Sequence, residues 1–166
     1  MDLLLNKLLG LLEEETGFYR SLLSVLQKEK KAVVDSKLDE LNEAGKEKES
    51  LLLKIRILEE ERLRIQERLA DSLGYEPQGL TLTKLSQLVG EPYSTRLKVC
   101  YSNLLTLIPG IREINHSNKS LLTHSLELVR GSLALLNNFV ASNAVYYRTG
   151  KMQSGDQSGN VLSGEV

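Results

Sequence analysis

Apolar side chains at Leu5, Leu8, Leu12, Tyr19, Leu22, Leu26 and Val33 follow one another at steps of three, four and seven. That spacing gathers them on a single stripe of an α-helix, and Leu4, Leu9, Leu11, Phe18 and Leu23 widen it. Nothing between Leu3 and Val34 breaks the pattern, because the only prolines are Pro77, Pro92 and Pro109. At 1.5 Å per residue such a helix is roughly 50 Å long. A stripe of that length is covered only by partners of similar length, which predicts a rod-like arrangement rather than a compact globule.

The rest of the chain supplies those partners. Ser36 and Asp39 have the spacing of a capping box and predict a restart. The second stripe is Leu38, Leu41, Leu52, Ile55, Leu58, Ile65, Leu69 and Leu73, with Gly74 placed to end it in a left-handed residue. Between Leu41 and Leu51 that stripe fades into polar residues, so this stretch is expected to be solvated and weakly packed. Tyr75 to Gly79 reads as a loop. Thr81 then caps a short helix carrying Leu82, Leu85 and Leu88, closed by Gly90. Pro92 suits the first turn of a last helix that runs from Tyr93 to about Tyr147. Its seam is Leu97, Tyr101, Leu104, Ile108, Ile111, Asn115, Asn118, Leu122, Val129 and Leu136. Pro109-Gly110 predicts a kink or a break within it.

Leucine dominates the apolar set, 35 residues against 10 Val and 6 Ile, and this skew favours helix over sheet. The predicted fold is therefore all-α: an elongated antiparallel bundle or coiled coil of three long helices and one short one, over residues 1–148. Residues 149–166 are rich in Gly and Ser. They cannot bury enough apolar area to offset their ordering entropy, and a disordered tail is expected. No internal repeat is present.

Charge and motif content exclude several functions. The net charge is −1, and Met1–Gly74 carries 16 acidic and 13 basic side chains against 6 and 8 in the remainder. Neither part has the basic excess of a nucleic-acid binder. No stretch approaches the length of a membrane span, and the N-terminus lacks the charge and cleavage pattern of a signal peptide. The single Cys100 forms no internal disulfide, which suits a reducing compartment, the cytoplasm. His116 and His124 lie about 12 Å apart along a helix, too far to share a metal. No phosphate loop, metalloprotease or nucleophile-elbow motif occurs, so no cofactor and no enzyme activity are expected. The run Glu59-Glu60-Glu61 has Lys54, Arg56, Arg62 and Arg64 nearby and reads as a salt-bridged solvated face. Glu13-Glu14-Glu15 points in different directions on a helix and converges on no ion.

Two features remain. Asn115 and Asn118 fall in the seam, either as register-setting polar residues or as groups that bond a neighbouring backbone. Phe139, Val140, Val145, Tyr146 and Tyr147 are apolar or aromatic at the end of the last helix. They either pack on the bundle or order on a partner protein.

The order of these pieces resembles the flagellar export chaperone family FlgN. The resemblance rests on Leu11-Leu12-Glu13-Glu14-Glu15 and Leu22 to Glu29, then Ala32 to Leu41 and the Lys/Glu stretch ending at Glu59-Glu60-Glu61-Arg62. Its most specific piece is Asn115-His116-Ser117-Asn118-Lys119-Ser120-Leu121-Leu122, similar to the family's Asn-x-x-Asn-x-x-Leu-Leu. Tyr147 to Gly150 resembles the family's terminal Tyr…Gly motif, although Tyr146-Tyr147-Arg148 stands where relatives often have Tyr-Gly. The resemblance implies a cytoplasmic chaperone that binds hook-associated, hook–filament junction proteins, as a monomer or homodimer. It points to Leu133, Leu136, Phe139, Val140, Val145, Tyr146 and Tyr147 for client binding. Asn115, Asn118, Leu121 and Leu122 would be the structural motif, and Tyr146 or Tyr147 would meet the membrane export gate. The competing expectation is a coiled-coil scaffold or dimerisation protein without client specificity.

Overall fold

The computed structural model describes residues 1–142 of the chain. Four α-helices account for most of them: α1 (Asp2–Val34), α2 (Leu38–Leu73), α3 (Leu82–Leu88) and α4 (Tyr93–Ser142), with a 3₁₀ turn at Pro77–Gly79 before α3. Among the described residues there is no strand, and the fold is all-α as the leucine periodicity predicts. The tail and the expected boundary at residue 148 lie outside the described residues. The chain divides into two units, Met1–Thr123 and His124–Val166.

Within the first unit α1 and α2 form an antiparallel hairpin. The pairs Glu15–Arg62 and Glu29–Lys48 fix the direction, since one number falls as the other rises. The turn between them is built differently from expectation. Ser36 adopts a left-handed conformation at φ 55°. The N–H of Lys37 donates to the Ala32 carbonyl at 2.9 Å and that of Ser36 to Val33 at 3.2 Å. This is a Schellman closure of α1 with serine in the place usually taken by glycine. The capping box does not form: Lys37 is the N-cap of α2 and no side chain caps it. Gly74 ends α2 as predicted, at φ 70°, with the N–H of Tyr75 donating to the Ala70 carbonyl. The Gln66 amide then donates to the carbonyls of Pro77 and Leu80 and holds the loop. Thr81 caps α3, its hydroxyl accepting from the Lys84 N–H at 3.2 Å. The Glu91 carboxylate accepts from both the N–H and the hydroxyl of Thr95 at the start of α4.

The core of this unit lies in two clusters. The first joins Leu5, Leu8, Leu9 and Leu12 of α1 to Ile65 and Leu69 of α2, Leu85 of α3 and Leu97 of α4. Each fully buried leucine contributes about 2 kcal/mol relative to remaining exposed. The second cluster joins Leu22, Val25 and Leu26 to Ala44, Leu51 and Ile55, with Ile111 and Ile114 of α4 only partly buried against it. The stretch of α2 expected to be weakly packed holds just one buried residue, Ala44. Contacts of α4 with α1 pair Tyr93 with Asn6, Arg96 with Glu13 and Asn118 with Leu26, so α4 runs parallel to α1.

Helix α4 is continuous through Pro109, so of the kink or break expected there the break does not occur. Pro109 withholds the N–H that would reach the Leu105 carbonyl, and Leu105 lies on an exposed face. A proline inside a helix costs about 3 kcal/mol and a glycine about 1 kcal/mol relative to alanine. The seam of α4 also differs from expectation. It passes through Leu97, Cys100, Leu104, Ile111, Ile114 and Asn118, while Tyr101 and Asn115 are exposed. A straight helix turns 3.6 residues per turn, so a strict seven-residue repeat drifts off the contact line.

Candidate functional site

Three places in the described structure carry chemistry beyond apolar packing. In the first, Glu15 is buried on α1 and its Oε2 faces Arg62 Nε of α2 at 3.2 Å. This is an ion pair without hydrogen-bond alignment. The Tyr19 hydroxyl donates to Glu15 Oε1 at 3.4 Å. Burial lifts the Glu15 carboxyl above the ordinary carboxylate range, the Arg62 guanidinium opposing it. Burial, then the Glu15 charge, pushes the Tyr19 phenol up to about 12. Arg62 thus serves α1 rather than the solvated face of its own helix.

The second is Asn118, 1% exposed. Its amide donates to the Leu26 carbonyl and to Glu29 Oε2, both at 2.8 Å. Glu29 is itself buried and paired with Lys48 of α2. One side chain of the Asn-x-x-Asn-x-x-Leu-Leu motif therefore joins α4 to α1, and through the Glu29–Lys48 pair to α2. Leu121 and Leu122 are half-buried beside it, and Asn115, expected in the seam, faces solvent. Of the two readings for Asn118, the backbone bond to Leu26 is present.

The third place is the part of α4 that belongs to the second unit. Every described side chain from His124 to Val140 is exposed. Leu126, Leu128, Val129, Leu133, Leu135, Leu136, Phe139 and Val140 are between 55 and 73% exposed. They form two ridges. Leu126, Val129, Leu133, Leu136 and Val140 succeed one another at steps of three and four. Leu128, Leu135 and Phe139 make a second ridge beside the first. Ser125 and Ser132 lie between the ridges, and the Ser132 hydroxyl is taken up by the Leu128 carbonyl at 2.9 Å. The apolar face covers about half of the helix circumference, much more than a two-stranded seam uses. Charge is sparse here, Glu127 and Arg130 being the only Asp, Glu, Lys or Arg from 124 to 142.

Of the expected client-binding residues, Leu133 and Leu136 fall on the first ridge with Val140, and Phe139 falls on the second. Val145, Tyr146 and Tyr147 lie outside the described residues. Val129 and Leu136, read from sequence as seam positions, are solvent-exposed. Leu126, Leu128, Val129 and Leu135 were missed as surface residues. The signal for them was the continuity of the three–four spacing through a stretch with only two such charges.

Among the described residues, no three of His, Cys, Asp and Glu come together as a metal site. None of the described helices is long and apolar enough to cross a membrane. Cys100 is buried in the first cluster, and burial raises its thiol pKa.

No curated protein and no solved structure matches the chain. The family model described as FlgN protein matches residues 1–154 of the 166. That match covers most of the chain, and the chain belongs to the FlgN family of flagellar type III export chaperones.

Proposed function

We propose that this protein binds hook-associated proteins in the cytoplasm through the apolar half of α4 between Leu126 and Val140, prevents their premature assembly and delivers them to the export apparatus. The observation that carries the reading is the pair of exposed ridges separated by Ser125 and Ser132. Two ridges with small residues between them accept the ridge of an incoming amphipathic helix. Filament subunits assemble through apolar helix faces, and a chaperone that covers such a face keeps them soluble. The family resemblance adds Val145, Tyr146 and Tyr147 to the client-binding residues, with Tyr146 or Tyr147 as the contact to the export gate. The role is one of binding, without catalysis or cofactor.

The test is light-scattering chromatography of the full chain with a hook–filament junction protein, beside the variant Leu133→Glu/Leu136→Glu. Both positions are more than half exposed, so the variant keeps the helicity and melting of the first unit. A one-to-one complex with the native chain and none with the variant supports the reading. A tight homodimer that ignores both the junction protein and the substitutions overturns it in favour of a scaffold.

A further inference from the structure

We propose that residues 111–123 of α4 form an arm that opens from the α1–α2 hairpin, hinged at Pro109-Gly110 and latched by Asn118.

Deep burial of α4 ends before the hinge. Leu97 and Cys100 sit in the first cluster, and from Tyr101 to Pro109 no side chain is more than half-buried. After it, Ile111 and Ile114 are half-buried, and Asn118 is the only buried side chain from 111 to 123. The arm is thus held by two partly covered isoleucines, the half-buried Leu121 and Leu122, and one amide.

The hinge residues are not imposed by packing. Pro109 is exposed, and a Cβ at Gly110 would meet open space. Alanine fits at both positions and would be the better helix former. Proline removes one backbone hydrogen bond and glycine loosens the next residue, so the helix is locally weakened where packing asks for nothing special. Beneath the hinge an open groove of about 390 Å³ is lined by Tyr19, Leu22, Leu52, Ile55, Ile108 and Ile111. Its presence means that α4 does not fill the space above the second cluster.

The latch is short-range and reversible. Both Asn118 hydrogen bonds are 2.8 Å long, and such bonds vanish with a displacement of about an ångström. Opening leaves no carboxylate stranded, because Glu29 keeps its ion pair with Lys48. It also hydrates Asn118 Oδ1, which is buried without a hydrogen-bond partner in the closed arrangement. The leading edge of the second cluster, Leu22, Val25 and Leu26, then becomes available on the side where Ile111 and Ile114 had packed.

Hydrogen exchange of the full chain, read by mass spectrometry, tests the arm. The expected profile has a step at the hinge, with the amides of residues 111–123 exchanging about tenfold faster than those of residues 97–106. Pro109→Ala/Gly110→Ala is expected to remove the step. Asn118→Ala is expected to speed exchange in residues 111–123 by a further factor of about ten and leave residues 5–12 and 97–106 unchanged. A smooth rise toward the C-terminal end, a step that survives the double substitution, or equal acceleration of all helices by Asn118→Ala each overturns the proposal. The hinge variant only strengthens the helix, so it decides the matter even where Asn118→Ala fails to fold.

Discussion

Replacing Arg62 by methionine tests whether the buried charge on α1 depends on its partner. Removing one member of a buried pair costs about 3–5 kcal/mol when both are fully enclosed. Here the Glu15 side chain is 4% exposed but that of Arg62 is 20% exposed. The pair also meets at 3.2 Å without hydrogen-bond alignment. Methionine restores most of the apolar contact of the arginine stem. These reductions bring the expected loss to about 2 kcal/mol at neutral pH, or a fall in melting temperature of roughly 6–10 °C.

The loss is expected to depend on pH, with a definite sign. The carboxyl of Glu15 is raised in the folded state above its ordinary value of 4.5, chiefly by burial. The folded protein therefore binds this proton more tightly than the unfolded chain does. Ionised Glu15 subtracts stability above its folded pKa, and that cost is relieved as the pH falls toward 4.5. Without Arg62 the folded pKa rises further, so the gap between native and variant chains closes on acidification. Urea unfolding followed by circular dichroism across this pH range measures it. A variant as stable as the native chain at neutral pH, or a gap that does not narrow on acidification, refutes the reasoning.

Two further outcomes follow from local geometry. Ser36 stands at φ 55° where glycine carries no Cβ penalty, so Ser36→Gly is expected to stabilise the chain by about 1 kcal/mol in the same urea experiment. The buried Cys100, its thiol pKa raised by burial, is expected to react with a thiol reagent at neutral pH only after unfolding, its rate following urea concentration.

The helices were legible because leucine periodicity states them directly, and Gly74 and Thr81 mark their ends with residues whose geometry admits few alternatives. The α4 seam was less legible. Apolar or aromatic residues occur at both 100 and 101, and Ile114 stands beside Asn115. A repeat fitted to the sequence cannot choose between neighbours until the partner helix is placed. The difference between the two ends of α4 was also hidden. Leu97 and Leu133 are the same residue on the same helix, one buried and the other exposed. What buries Leu97 is the presence of α1, α2 and α3 residues around it, which is a tertiary fact. Leu133 and Leu136 were named through family resemblance, and the apolar face that continues back to Leu126 needed the exposure pattern.

The seven-residue gaps in the α1 stripe contain its own specificity code. The stripe runs Leu5, Leu8, Leu12, then Tyr19, Leu22, Leu26 and Val33, and the positions that complete the spacing are Glu15 and Glu29. The corresponding gaps in α2 hold Lys48 and Arg62. Each glutamate meets its cation in the antiparallel register seen here. A slip of seven residues would set Glu15 against Ile55 or Leu69, and Glu29 against Ile55 or Leu41, leaving buried carboxylates unpaired. Buried pairs of this kind add little net stability and penalise wrong alignments heavily. Replacing all four residues by leucine is therefore expected to raise the melting temperature while relaxing the register. Cysteine pairs placed at matched and slipped positions of α1 and α2 report on it, after Cys100→Ala removes the native thiol. Cross-linking confined to the matched pair in the all-leucine variant would show that apolar packing alone sets the alignment, and that the charges serve some other purpose.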